Sequence, residues 1–145
     1  MSERDSELFL FDILVAILKI EKTVGHFDNA DDLKHHYTSW DSVIREFEII
    51  GEATKHLIQN SVLDPEKQKI VDFRNLLVHH YFGIDENAIW GVVEKDLSDF
   101  KRIIVKNIQQ LDTEIKKELI QDFIDENSYL DFVVKYMVLL NNREV

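Results

Sequence analysis

Few side chains move protons or hold phosphate near neutral pH without a metal. Histidine is the usual proton carrier in that range. Arginine is planar, permanently charged and bidentate toward phosphate oxygens. The chain places both types in one short segment, Phe73-Arg74-Asn75-Leu76-Leu77-Val78-His79-His80-Tyr81-Phe82-Gly83. These types suit phosphoryl chemistry: Arg74 can neutralise a phosphate, and His79 can take a proton from a ribose 2′-hydroxyl or give one to a leaving oxygen. No carboxylate cluster with magnesium spacing stands nearby, so metal-free cleavage fits better. The plainer alternative is a solvated helix face, with Arg and His paired to acidic neighbours such as Asp72 or Asp85.

On a helix turning about 100° per residue, Ile70, Phe73, Leu77 and His80 share one side and His79 points roughly opposite. His80 is therefore the better candidate for a buried histidine. Asn75 lies one turn before His79 on the same face, where it can hydrogen-bond the imidazole and fix its tautomer. Arg74 projects about 140° away from His79, so one straight helix does not easily aim both at a single atom. Either the helix end bends near Gly83, or a second copy completes the site, which motivates a dimer. The other histidines have ordinary explanations. His26, His35 and His36 sit in a polar loop with Asp28, Asp31 and Asp32, whose spacing lacks the Gly that a calcium loop needs. His56 falls on the polar side of its helix, where water solvates it.

The elements that must carry this segment are helical throughout. Leu8 to Ile20 is apolar on nearly every side except at Asp12 and Lys19, as in the central helix of a bundle. Gly25 to Ser39 reads mostly as a loop with room for a short turn of helix, and Ser39 or Asp41 can cap the next helix. That helix carries Val43, Phe47, Ile50 and Leu57 on one stripe with Ile44 and Ile58 beside it, and leaves Glu46 and Glu52 mainly outside. Gly51 within it costs about 1 kcal/mol relative to Ala and implies close helix packing. Asp64-Pro65 starts another helix, which runs to about Tyr81 and stops at Gly83. From Ile89 the apolar positions Val93, Leu97, Phe100, Ile104, Ile108, Leu111 and Ile115 continue in steps of three and four, with Asp96 or Ser98 able to recap midway. A last helix covers roughly 120–140. No strand alternation appears. The expected fold is all-α, an up-and-down bundle of four long helices with one or two extras. It forms one domain over 1–145, in which 120–145 adds a C-terminal helix.

The composition agrees. The chain has 145 residues, no Cys, one Pro and four Gly, too few turn residues for a sandwich or barrel. Without Cys there is no disulfide framework, and the acidic N-terminus does not resemble a signal peptide. The apolar runs are too short to span a bilayer. A cytoplasmic protein without membrane association is expected. Seventeen Lys and Arg stand against 28 Asp and Glu, a net charge of −11, which argues against coating nucleic acid by bulk charge. It does not argue against one narrow cleft carrying Arg74, His79, His80, Lys67 and Lys69.

Read together, Arg74-Asn75, His79, Tyr81 and Phe82-Gly83-Ile84-Asp85 resemble the signature of the HepT-like group of HEPN-domain proteins. Phe47-Glu48-Ile49-Ile50-Gly51-Glu52-Ala53-Thr54-Lys55-His56-Leu57 resembles that group's second characteristic helix, and Trp90 and Asp96-Leu97 match further positions. The similarity covers roughly residues 5 to 115. Ser98 stands where the group often has Pro, and His80 doubles the histidine. The resemblance implies a HEPN-like bundle that dimerises and places two Arg–His motifs in a shared cleft. It implies a metal-independent endoribonuclease toxin of a type VII HepT/MntA-like toxin–antitoxin system, needing no cofactor, whose RNA product ends in a 2′,3′-cyclic phosphate. In that scheme Arg74 stabilises the pentacoordinate phosphate, His79 is general acid or base, Asn75 orients and His80 supports. Tyr81 is the AMP acceptor through which an MntA-like nucleotidyltransferase antitoxin blocks the site. On residue spacing alone, Tyr81 can instead pack its ring on Arg74. The alternative function is a non-catalytic nucleotide-binding or substrate-presenting subunit of a nucleotidyltransferase complex. A third is a pure interaction module docking through Tyr129 to Leu140, a stretch that also reads as a core helix.

Overall fold

The central element is the helix whose sequence is apolar all round. In the computed structural model, which describes residues 3–80 and 83–145, this is α1 (Glu3–Val24). Phe11, Ile13, Leu14, Ile17 and Ile20 are fully buried. Removing such side chains from water stabilises by about 1.5–3 kcal/mol each. Around α1 stand α2 (Ala30–His35), α3 (Tyr37–Gln59), α4 (Gln68–His79), α5 (Glu86–Lys95), α6 (Leu97–Gln109), α7 (Thr113–Glu126) and α8 (Asp131–Asn141). Helices α3, α6, α7 and α8 pack on α1; α4 packs on the outer side of α3, and α5 joins α2 to α6. Among the described residues there is no strand, and the fold is all-α. No described helix is long and apolar enough to cross a membrane.

The long elements divide more finely than their apolar periodicity implies. The short turn of helix allowed within the loop stretch is α2, capped by the Asn29 side chain accepting from the Asp32 amide. Helix α3 begins at Tyr37, before either Ser39 or Asp41, with no side-chain cap at His36. The run from Ile89 breaks at Asp96 into α5 and α6. The single helix expected over 120–140 is two. Asn127 ends α7 by donating both its backbone N–H and its buried side-chain amide to the Phe123 carbonyl, and α8 then turns back along α7. Periodicity continued through these breaks because both halves face the same core.

The α7–α8 hairpin is fastened by mixed contacts. Phe123 stacks on Phe11 at 5.1 Å between centroids. The Gln109 side chain donates to the Leu140 carbonyl and accepts from the buried Lys116 ammonium, joining α6, α7 and α8. Lys101 pairs with Glu21 at 2.8 Å and sits over the Tyr136 ring. Val133, Met137 and Leu140 are buried, so α8 is a core helix, while Val138 and Leu139 stay exposed.

The seam between α3 and α4 sets the position of the Arg–His segment. A Cβ on Gly51 would overlap the Cβ and Cγ of Arg74. The close packing expected at Gly51 is thus found, and its partner is a charged residue rather than an apolar one. Next to it, Phe47 and Phe73 meet edge to face at 5.5 Å. Gly51→Ala should therefore push α4 away from α3 and cost about 1–3 kcal/mol. Gly91, where a Cβ meets nothing within 4 Å, is the control: Gly91→Ala gains up to about 1 kcal/mol from helix propensity. Chemical denaturation of the two variants checks both signs.

Desolvation raises two carboxyl groups, the half-buried Asp12 and the buried Glu46. Burial pushes the Asp12 carboxyl above its ordinary range, and Glu126 of α7 adds to the effect. Glu46, expected outside the apolar stripe, is buried, and burial raises it while Lys19 and Arg45 pull it back. A raised folded-state pKa means the native state holds its proton longer than the unfolded chain, so stability is lost as pH rises through the folded value. Asp12→Asn should raise the melting temperature at neutral pH. That gain should shrink as pH falls toward about 4, the ordinary carboxylate range. A gain independent of pH would contradict the assignment.

Candidate functional site

Helix α4 is launched by local chemistry. The Asp64 side chain accepts from the Glu66 amide at 2.9 Å, Pro65 opens a 3-10 turn, and α4 follows at Gln68. The expected start is thus observed. The end is not where it was expected. α4 stops at His79, and His80 leaves helical geometry at φ −127° and ψ 35°. Gly83 is bonded to the His80 carbonyl and has no positive φ, so it is not a left-handed stop. Asp85 then caps α5 by accepting from the Asn87 amide.

This early end alters the assignment of the histidines. His80 no longer sits on the helix wheel and does not turn inward with Leu77; both His79 and His80 are exposed. They line a cavity of about 440 Å³ with Phe73, Leu76, Asp85 and Ala88. Arg74 does not line it. Its guanidinium lies toward α3, as Gly51 permits, and the side chain is 31% exposed. One amino group donates to the Asn75 carboxamide oxygen at 3.1 Å, and the other pairs with Glu52 at 3.5 Å. Asn75 therefore gives its oxygen to Arg74, not to the His79 imidazole. The Arg74 Nε–H is buried and finds no acceptor among the described residues. Tyr81, the expected AMP acceptor, lies outside the described residues, as does Phe82.

Two residues join the site that residue types alone did not select. Glu52 stands between Arg74 and His56, whose Nε2 lies 3.4 Å from it. The His56 ring stacks on Phe9 at 4.8 Å and is half-buried rather than solvated. The available signal was the i, i+4 spacing of Glu52 and His56 beside Gly51. Arg74, Glu52, His56 and Phe9 thus form one chain of contacts from α4 across α3 to α1. Nearby cations are partly spent: Lys67 pairs with Glu66, whereas Lys69 is exposed. In the α2 loop, His35 bonds the Asp31 carbonyl and His36 lies against Phe27, both ordinary local contacts.

One chain therefore gathers His79 and His80 at one cavity and anchors Arg74 with Glu52 and Asn75 on a different face. The described geometry offers a proton carrier in the open and a cation held by carboxylate and carboxamide.

Comparison with known proteins agrees with the segment on which this geometry rests. Residues 13–107 match the family described as Ribonuclease HepT-like. The chain is 32% identical over 108 residues to "Putative RNase MJ1380" of Methanocaldococcus jannaschii, covering 70% of this chain and 95% of that one. It is 35% identical over 115 residues to "Putative RNase MJ0127" of the same organism, covering 75% and 94%. It is 34% identical over 102 residues to "Probable ribonuclease HepT" of Thermococcus cleftensis, covering 68% and 92%. No solved structure matches the chain. The matched segment runs from within α1 to within α6 and leaves the α7–α8 hairpin outside. On the extent of that match, this chain belongs to the HepT-like ribonuclease family of HEPN proteins.

Proposed function

We propose that this protein is a metal-independent endoribonuclease that cleaves RNA in a cleft between two copies of the chain. The observation that carries the reading is the separation of Arg74 from His79 on α4, with Arg74 held in place by Glu52 and Asn75. Both groups suit phosphodiester cleavage, and a second α4 across a two-fold axis supplies the missing one to each. Leu76 and Val78 are exposed apolar residues beside the motif, at 52% and 42%, and offer a surface for that second helix.

In the proposed reaction the ribose 2′-oxygen attacks phosphorus and its proton leaves to a base. The bond to the 5′-oxygen breaks, and that oxygen receives a proton. Products are a 2′,3′-cyclic phosphate and a 5′-hydroxyl. His79 carries the proton, with His80 beside it in the same cavity. Arg74 binds the negative charge that grows on the phosphate oxygens, and Asn75 and Glu52 orient it. The protein acts as a toxin, and an MntA-like nucleotidyltransferase silences it by transferring AMP from ATP to the Tyr81 hydroxyl, releasing pyrophosphate.

Unmodified protein should cleave RNA in the presence of EDTA and leave cyclic-phosphate ends. His79→Ala should reduce the rate by about 100-fold or more, the range of lost general acid–base catalysis. Absence of cleavage across a broad RNA panel, or full activity in His79→Ala, contradicts the proposal. Co-expression with an adjacent nucleotidyltransferase should add one or more AMP units by intact mass, lost in Tyr81→Phe. Nucleotide binding without cleavage by the isolated chain would favour the substrate-presenting subunit instead.

A further inference from the structure

Two cavities open along α4, and Phe73 is a wall of both. One holds His79 and His80. The other, about 330 Å³, lies between α3, the start of α4 and the junction of α5 with α6. Its walls are apolar, among them Phe47, Ile50, Phe73 and Phe100. Lys67 of the 3-10 turn and Lys69 at the start of α4 line it on one side, and Asp96 and Asp99 from the α5–α6 junction. Lys69, Asp96 and Asp99 are exposed, so the charged groups stand toward solvent and the apolar groups lie deeper.

Interiors of folded proteins are otherwise close-packed, so an open apolar cavity with convergent polar groups is where a ligand belongs. The lining selects the chemistry. Aromatic walls favour a flat ring. Lys67 already pairs with Glu66, so the exposed Lys69 is the ammonium that favours an anion near the start of α4. Carboxylates favour N–H donors, and Asp99 already holds Arg102, leaving Asp96 the better placed acceptor. A fatty acid would offer its carboxylate to Lys69 but bring no N–H donor for Asp96, and a neutral sugar would bring no anion for Lys69. An unpaired nucleobase bearing an exocyclic amino group, followed by its phosphate, uses all three.

The position along α4 fits a strand already engaged at the histidines. At the helical rise, Phe73 lies about 9 Å and Lys69 about 15 Å from His79. A strand of a few nucleotides covers that distance. We propose that the cavity walled by Phe47, Phe73 and Phe100 is a base-binding subsite for single-stranded RNA. There one amino-bearing base is held against the aromatic walls, Asp96 accepts from its amino group and Lys69 contacts its phosphate. This rests on the ribonuclease reading and extends it from cleavage to selection of the strand.

The test uses the full chain and an uncleavable probe, an all-2′-deoxy pentanucleotide of adenine, which lacks the 2′-hydroxyl nucleophile. NMR of the Ile50, Ile70, Val92 and Ile103 methyl groups reports occupancy. These methyls should shift on titration, and the pentanucleotide of deoxyuridine should bind about fivefold more weakly, having no exocyclic amino group. Lys69→Glu, an exposed substitution that leaves the core untouched, should weaken binding about tenfold and lower the salt slope by about one. Unmoved methyls, equal binding of the two probes, or an unchanged Lys69→Glu overturns the subsite. Cleavage of ordinary RNA by the same preparation tests the ribonuclease reading separately. Cleavage with unmoved methyls removes the subsite and keeps the enzyme; shifted methyls without cleavage keep the subsite and remove the enzyme.

Discussion

The absence of one side chain, at Gly51, governs the arrangement on which everything else depends. Because position 51 has no Cβ, the stem of Arg74 can lie directly on the α3 backbone. That contact fixes how closely α4 approaches α3, and therefore where Phe73, His79 and the end of α4 stand. It also draws a guanidinium into a site two-thirds covered, where it needs partners. Glu52, the next residue on α3, and Asn75, the next on α4, supply them. A charged side chain at a helix seam is costly unless paired. Here the pairing holds the cation in one orientation, as the proposed phosphate-binding role requires.

The same seam separates the chemistry into two faces. Arg74 turns toward α3, while the end of α4 carries His79 to a cavity shared with the start of α5. A single copy holds half of an Arg–His pair at each place. The early end of α4 sharpens this. Because His80 leaves the helix, both imidazoles face one cavity instead of one being packed inside. The α7–α8 hairpin stands away from these events. It covers the other flank of α1 through Phe123 on Phe11, and it lies outside the segment shared with the family.

Much of this was legible in the residues. The apolar girdle of α1, the Asp64-Pro65 start and the tight packing at Gly51 each rest on local rules that tertiary structure did not override. What was not legible depended on neighbours. The wheel placed His80 inward only while the helix continued. His56 looked solvated because its partner Phe9 lies on another helix, far away in sequence. Glu46 read as polar surface but falls in the interior. Asn75 was expected to orient His79, yet the nearer guanidinium takes its oxygen. The break at Asp96 was one of the two recapping points the residues offered, whereas the break at Asn127 was hidden because the apolar register runs on through it. The net charge of −11 described the whole surface and said little about one seam where Arg74, Lys67 and Lys69 each have different company.

The central claim is that Arg74 and His79 serve one reaction only across two copies of the chain. Mixing inactive Arg74→Ala with inactive His79→Ala protein, under conditions that exchange subunits, tests it most directly. Random pairing makes half of the dimers mixed, and each mixed dimer has one site with both residues intact. About a quarter of wild-type RNA cleavage should therefore return. A mixture as inactive as its two components would contradict the account.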